Sequence, residues 1–194
     1  MASLLLGVIA FGFAVGFDLA SLAGRKVLKH LSGSAALVSF TIAFIGAVAS
    51  GPRLAIPQTL SLLGWVLAPV ATILLLYSLF VEIPFTITYL SPDAPSKLVR
   101  SGTYALTRHP GVLWLAFFLL GAVLASRSRT LLWAAPLWWA LDLGYAWWQD
   151  RWLFPRQFPA YRAYQRETPM FLPTATSLRQ CLRTIGRRPL TDSK

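Results

Sequence analysis

Charge is what this chain has least of. Only 13% of its 194 residues are charged, against about one quarter in an average soluble domain, while 56% are hydrophobic. A soluble chain of this size could not bury so much apolar surface, because too much of a small fold must face water. The single cysteine, Cys181, excludes an internal disulfide framework. No internal repeat and no low-complexity stretch is present. Acidic residues are the scarcer sign, seven against eighteen Lys and Arg, which leaves a formal charge of +11. That excess does not point to nucleic acid. No recognition helix or RNA-binding signature accompanies it, and the cations flank apolar blocks, where they meet anionic lipid head groups.

Lys and Arg are absent from five stretches: residues 4–22, 35–50, 60–81, 112–125 and 131–148. Crossing a hydrocarbon core of about 30 Å takes about 20 apolar residues. Three blocks meet that length, and the two shorter ones reach it with flanking residues; the fourth needs 107–110 buried at its mouth. The expected fold is therefore all-α, a polytopic membrane bundle of about five spans. The first block has no basic residue before it and is too long for a secretory signal. Five spans put Arg25, Lys26, Lys29, Lys97, Arg100 and Arg108 on one side, together with nine cations after the last span. Arg53, Arg127 and Arg129 lie on the other. Fifteen against three sets the N-terminus outside and the C-terminus in the cytoplasm.

The pattern divides the chain into N-terminal spans at 1–90, a C-terminal half at 91–173 and a basic tail at 174–194. Pro69 and Pro84 predict kinks in or after the third span, and Pro110 suits the first turn of the fourth. Trp133, Trp147, Trp148 and Trp152 read first as interface anchors, although one or two indole faces are suited to a cation. After Trp152, Phe154, Phe158, Tyr161 and Tyr164 recur three or four apart among arginines. This predicts an amphipathic cytoplasmic segment, lying at the interface or packed as a lid under the bundle. From Thr174 onward a mobile tail is expected.

Chemistry concentrates at Gly102-x-Tyr104 and Arg108-His109-Pro110, at the cytoplasmic mouth of the fourth span. Arg presents a permanent, forked donor array suited to carboxylates. His is the side chain most easily tuned for proton exchange near neutral pH. Gln149-Asp150-x-x-Leu153, Tyr161-x-x-Tyr164 and Thr168-Pro169-x-Phe171-x-Pro173 follow in that order. Among the acids near spans, Asp142 has Tyr145 and Gln149 at spacings of three and seven on its helix face. Intramembrane carboxylates are costly, and these three residues form a candidate acceptor site. Asp18 and Glu82 lie near span ends, where hydration is partial.

This arrangement, over residues 98–173, resembles the isoprenylcysteine carboxyl methyltransferase and phospholipid methyltransferase superfamily of integral membrane enzymes. The resemblance implies S-adenosylmethionine as cofactor and a lipid-borne or membrane-permeant methyl acceptor. It also implies a cofactor site at Tyr104, Arg108, His109, Pro110, Asp150, Tyr161 and Tyr164. Arg108 would then pair with the cofactor carboxylate, and Asp150 or a Trp face with the cationic end. His109 would contact the cofactor or take a proton from the acceptor, and no metal is required. Val112 and Trp114 stand where the family commonly has Tyr and Gly, and Gln149-Asp150 where many members have two Glu. His109-Pro-Gly-Val-Leu-Trp114 is similar to NnrU-type membrane proteins of denitrifying bacteria, in the same superfamily. Two other readings are a non-catalytic protein that retains the fold and a membrane reductase using a nicotinamide cofactor. The expected location is a bacterial inner membrane.

Overall fold

The computed structural model describes residues 1–83 and 98–186; Pro84, the 91–96 loop and the last cations fall outside them. Among the described residues the fold is helical and contains no strand. The helices are α1 (Ala2–Leu22), α2 (Lys26–Ala49), α3 (Gln58–Leu76), α4 (Thr103–Leu106), α5 (Pro110–Ser126), α6 (Arg129–Trp148), α7 (Phe154–Gln157), α8 (Tyr161–Glu167) and α9 (Ala175–Thr184). α3 runs on into a π-helical turn at Tyr77–Glu82, and α6 into another at Gln149–Leu153. Ala2–Leu22, Lys26–Ala49 and Gln58–Glu82 are long and apolar enough to cross a membrane. α5 is apolar but shorter, with 17 residues, and starts at the expected Pro110.

Two compact units divide the chain, Met1–Thr72 with Leu115–Tyr145, and Ile73–Trp114 with Ala146–Lys194. In the first unit α1 and α2 pair along their length, and Ala43, Ala47, Leu119, Leu131, Ala134 and Trp138 form a closed core. Trp138 is fully buried. Its indole lies where a side chain on Gly7 would stand, packs against Phe40 at 5.2 Å, and reaches the Leu4 carbonyl at 3.4 Å. Small residues let other backbones meet. A Cβ on Gly64 would strike Ala125 N and Gly121 O, and one on Gly121 would strike Ala68 backbone atoms, so α3 and α5 touch through main chain. Ser128 ties the α5–α6 turn to the end of α2, donating 2.6 Å to the Ala47 carbonyl.

The second unit holds the last turn of α3, the start of α5, the end of α6 and the described residues after Trp148. α7 and α8 replace the single amphipathic segment expected after Trp152, and their aromatic side chains turn inward: Tyr161 and Tyr164 are buried. Where a loose tail was expected from Thr174, the chain forms α9. Thr174 and Ser177 cap its start reciprocally, Ser177 N donating to Thr174 Oγ1 at 3.1 Å and Thr174 N to Ser177 Oγ at 2.9 Å.

Candidate functional site

The site begins with the turn that starts α4. Gly102 has φ +64° and ψ −132°, a conformation reserved in practice for glycine. A Cβ there would strike the Glu82 carboxylate. That carboxylate is buried and accepts from Thr103 N at 2.9 and 3.0 Å, and from the Thr103 hydroxyl. Thr103 Oγ1 also lies 3.0 Å from Ser78 Oγ, which accepts from Trp114 Nε1 at 2.9 Å. Glu82 is thus an organising residue rather than a hydrated one at a helix end. Trp114, for its part, is an internal donor.

Five residues after Thr103, Arg108 sits at the centre of a polar knot. Its Nε and Nη2 donate to the two Asp150 carboxylate oxygens at 2.8 and 3.1 Å, the bidentate geometry that suits a guanidinium. Its Nη1 donates to the carbonyls of Gln165 and Thr168 at 3.0 and 2.5 Å. Asp150 accepts in addition from Tyr161 Oη at 2.7 Å and Gln165 Nε2 at 2.9 Å. The main chain follows the same seam, with Arg108 N donating to Pro169 O at 2.9 Å and His109 N to Met170 O at 3.3 Å. Tyr164 Oη donates to the Tyr104 carbonyl at 2.5 Å.

His109 lies between Phe154, nearly parallel at 5.8 Å, and Phe171 at 5.9 Å. Its Nε2 is 3.4 Å from Asp150 Oδ1, without the alignment of a hydrogen bond, and has no other partner. Thr107 Oγ1, on the other side of Arg108, is likewise buried and unpartnered. Two such atoms, one residue either side of an Arg that makes four hydrogen bonds, are an exception to the rule that buried polar groups are paired.

Burial and pairing set the charges. Burial alone would raise Asp150, but the neighbouring His109, Arg108 and Tyr161 side chains hold its carboxyl well below the usual carboxylate range. Burial pushes His109 down, and Arg108 adds to that, while Asp150 pulls it up; the net direction is down, favouring neutral imidazole. Burial, followed by the hydrogen bond to Asp150 and then its charge, raises Tyr161 far above the ordinary phenol range. Burial does the same for Tyr164. The knot therefore contains one carboxylate, one guanidinium and neutral rings.

Tyr104, Arg108, His109, Pro110, Asp150, Tyr161 and Tyr164 all lie in this one unit, and hydrogen bonds join most of them. Gln149 is in the same unit, in the π-turn beside Asp150. The other two members of the candidate acceptor site lie in the first unit. There Tyr145 Oη donates to Asp18 at 2.5 Å and contacts the Ala14 carbonyl at 3.2 Å, linking α6 to α1. Asp142 is half-buried in α6. Sequence reasoning missed Gln165, Thr107, Ser78 and Thr103. Gln165 follows Tyr161 by four residues on a helix, the only local sign of its role. Of the tryptophans, Trp148 and Trp152 stack at 5.4 Å, and the Arg156 guanidinium lies 4.3 Å over Trp152, so an internal cation takes that face. Comparison of the chain with protein-family models, curated proteins and solved structures finds no match.

Proposed function

We propose that this chain is an integral membrane methyltransferase that uses S-adenosylmethionine and methylates a lipid-borne or membrane-permeant acceptor. The observation that carries the reading is the convergence of Tyr104, Arg108, His109, Asp150, Tyr161 and Tyr164, which are far apart in sequence, on one buried knot that leaves His109 Nε2 and Thr107 Oγ1 unpaired. With it go five spans, α5 and α6 being the fourth and fifth, an outside N-terminus, and a cytoplasmic C-terminal segment in a bacterial inner membrane.

The residues present suit part of the cofactor. Aromatic rings around His109 suit a flat base or a sulfonium cation, while the two unpaired atoms are buried and would meet a ligand only once the site opens to admit it. When bound, the cofactor supplies an activated methyl group, so the protein's task is alignment rather than covalent chemistry. Arg108 differs from its expected role. Its guanidinium is occupied by Asp150 and two carbonyls, so here it is a positioning residue that fixes His109 and the α7–α8 segment. Asp150 is consumed in the same way. Neutral His109 retains a nitrogen able to contact the cofactor or accept a proton.

A second reading, a non-catalytic NnrU-like membrane protein that keeps the fold, is favoured by the closure of Arg108 upon Asp150. The two separate on one experiment. Membranes containing the chain are incubated with methyl-labelled S-adenosylmethionine and partitioned into lipid and water-soluble fractions. Chain-dependent label in a lipid or small-acceptor product, lost in His109→Ala, supports the enzyme. Label equal to that of membranes without the chain supports the retained fold.

A further inference from the structure

α9 has one face held by the protein and another left apolar and open. Cys181 forms a cluster with Ala105 and Leu106 of α4, against which Leu113 and Trp114 in the first turns of α5 pack. Ser177 is buried, and Thr184 Oγ1 accepts from Gly102 N at 2.9 Å. At 100° per residue, Ser177, Cys181 and Thr184 make one face. Leu178 and Leu182 make the next, continued by Ile185, and Arg179 and Arg183 lie beyond them. The apolar residues are open: Leu178 is 48% exposed, Leu182 67% and Ile185 43%. Arg179 and Arg183 are exposed as well.

Depth in the bilayer follows from what α9 packs on. It packs on the α4 turn, and the start of α5, the end of an apolar helix, packs against the same cluster. The same turn holds Glu82, the last residue of the third candidate span. α9 is therefore seated where apolar helices end, at the level where head groups meet acyl chains. A helix with leucines on one face and arginines beside them is built for that layer, the arginine stems lying along the apolar surface while the charges reach phosphates. A stable interface with a second copy uses about 20–30 residues a side, far more than this stripe supplies.

We propose that α9 is an interfacial anchor that docks on the anionic surface of the membrane in which the chain is embedded. Leu178, Leu182 and Ile185 enter the head-group boundary, and Arg179 and Arg183 bind acidic lipid. The docked helix holds the Gly102–Thr103 turn through Thr184 and so braces the corner that carries Arg108 and His109. The inference depends on membrane embedding, not on the cofactor. Failure to bind S-adenosylmethionine leaves it standing.

The test uses the full chain in the Cys181→Ala background, with Leu182→Cys carrying a polarity-sensitive fluorophore. It is reconstituted into phosphatidylcholine vesicles with or without phosphatidylglycerol. The expected result is blue-shifted emission, quenched by head-group spin-labelled lipid, that strengthens with phosphatidylglycerol. Arg179→Gln with Arg183→Gln should abolish that strengthening while leaving the thermal midpoint in place. Emission typical of water in both compositions overturns the proposal. So does a shift equal in both, which gives the arginines no part. A shift that follows protein-to-lipid ratio instead of lipid charge also overturns it and identifies a second copy as the occupant.

Discussion

Arg108 and Asp150, 42 residues apart, are joined by two hydrogen bonds of 2.8 and 3.1 Å that tie the start of α5 to the segment after α6. Both side chains are nearly inaccessible, at 9% and 2% exposure. Removing one partner of such a pair strands the other without water.

Asp150→Leu and Arg108→Met should therefore each destabilise the protein by about 3–5 kcal/mol, the usual range for breaking a buried pair. The double variant Arg108→Met/Asp150→Leu should recover part of that loss, because no charge is left stranded. Thermal unfolding of detergent-solubilised protein reads the cycle. Additive losses would show that the two side chains do not act together.

Stability should depend on pH in two steps. The folded state lowers His109 below the ordinary His value of about 6.5. The unfolded chain therefore binds the extra proton first, and stability falls as pH drops from about 6.5 toward the folded value. Asp150 is depressed as well, so its contribution is present above about 3.9 and is lost as pH falls further. Melting temperature measured against pH should show both steps, and His109→Gln should remove the upper one alone. An unchanged upper step in that variant would assign it to another group.

Gly102→Ala should cost on the order of 1–3 kcal/mol from the backbone conformation alone. The added methyl also meets the Glu82 carboxylate. Glu82→Ala in the same chain should relieve the clash but not the backbone strain. Gly102→Ala should therefore cost less when added to Glu82→Ala than when added to the wild type, and an equal cost in both backgrounds would show that the carboxylate is not the obstacle.

Gly121→Leu and Gly64→Leu should separate α3 from α5, since each added side chain meets backbone rather than a movable side-chain tip. Size-exclusion profiles and melting in detergent check this, with Gly144→Ala as the control. A Cβ at Gly144 meets nothing, and that variant should behave as wild type.

What was legible in the sequence was what local chemistry dictates. The long apolar blocks read as helices, Pro110 marked the start of α5, and Arg-His-Pro with the paired tyrosines pointed to one corner. Contacts between distant segments were not legible. Glu82 is one acid among seven until the fold brings the Gly102–Thr103 turn onto it. Trp138 carries the same interfacial propensity as Trp133, but Gly7 makes room for its indole in the core, while Trp133 stays 65% exposed. Arg108 looked like a free cation because its four acceptors come from Asp150, Gln165 and Thr168, all far along the chain. α9 could have been read from Thr174-x-x-Ser177 and the Leu178, Leu182 spacing. The number of arginines outweighed that signal.

The most direct measurement is calorimetric binding of S-adenosylmethionine to the detergent-purified chain, with Thr107→Val and His109→Ala beside it. The account predicts saturable binding by the wild type, weakened in both variants while their melting stays cooperative. A folded wild type that binds no cofactor even at millimolar concentration would contradict it and leave the knot around Arg108 as a structural clamp.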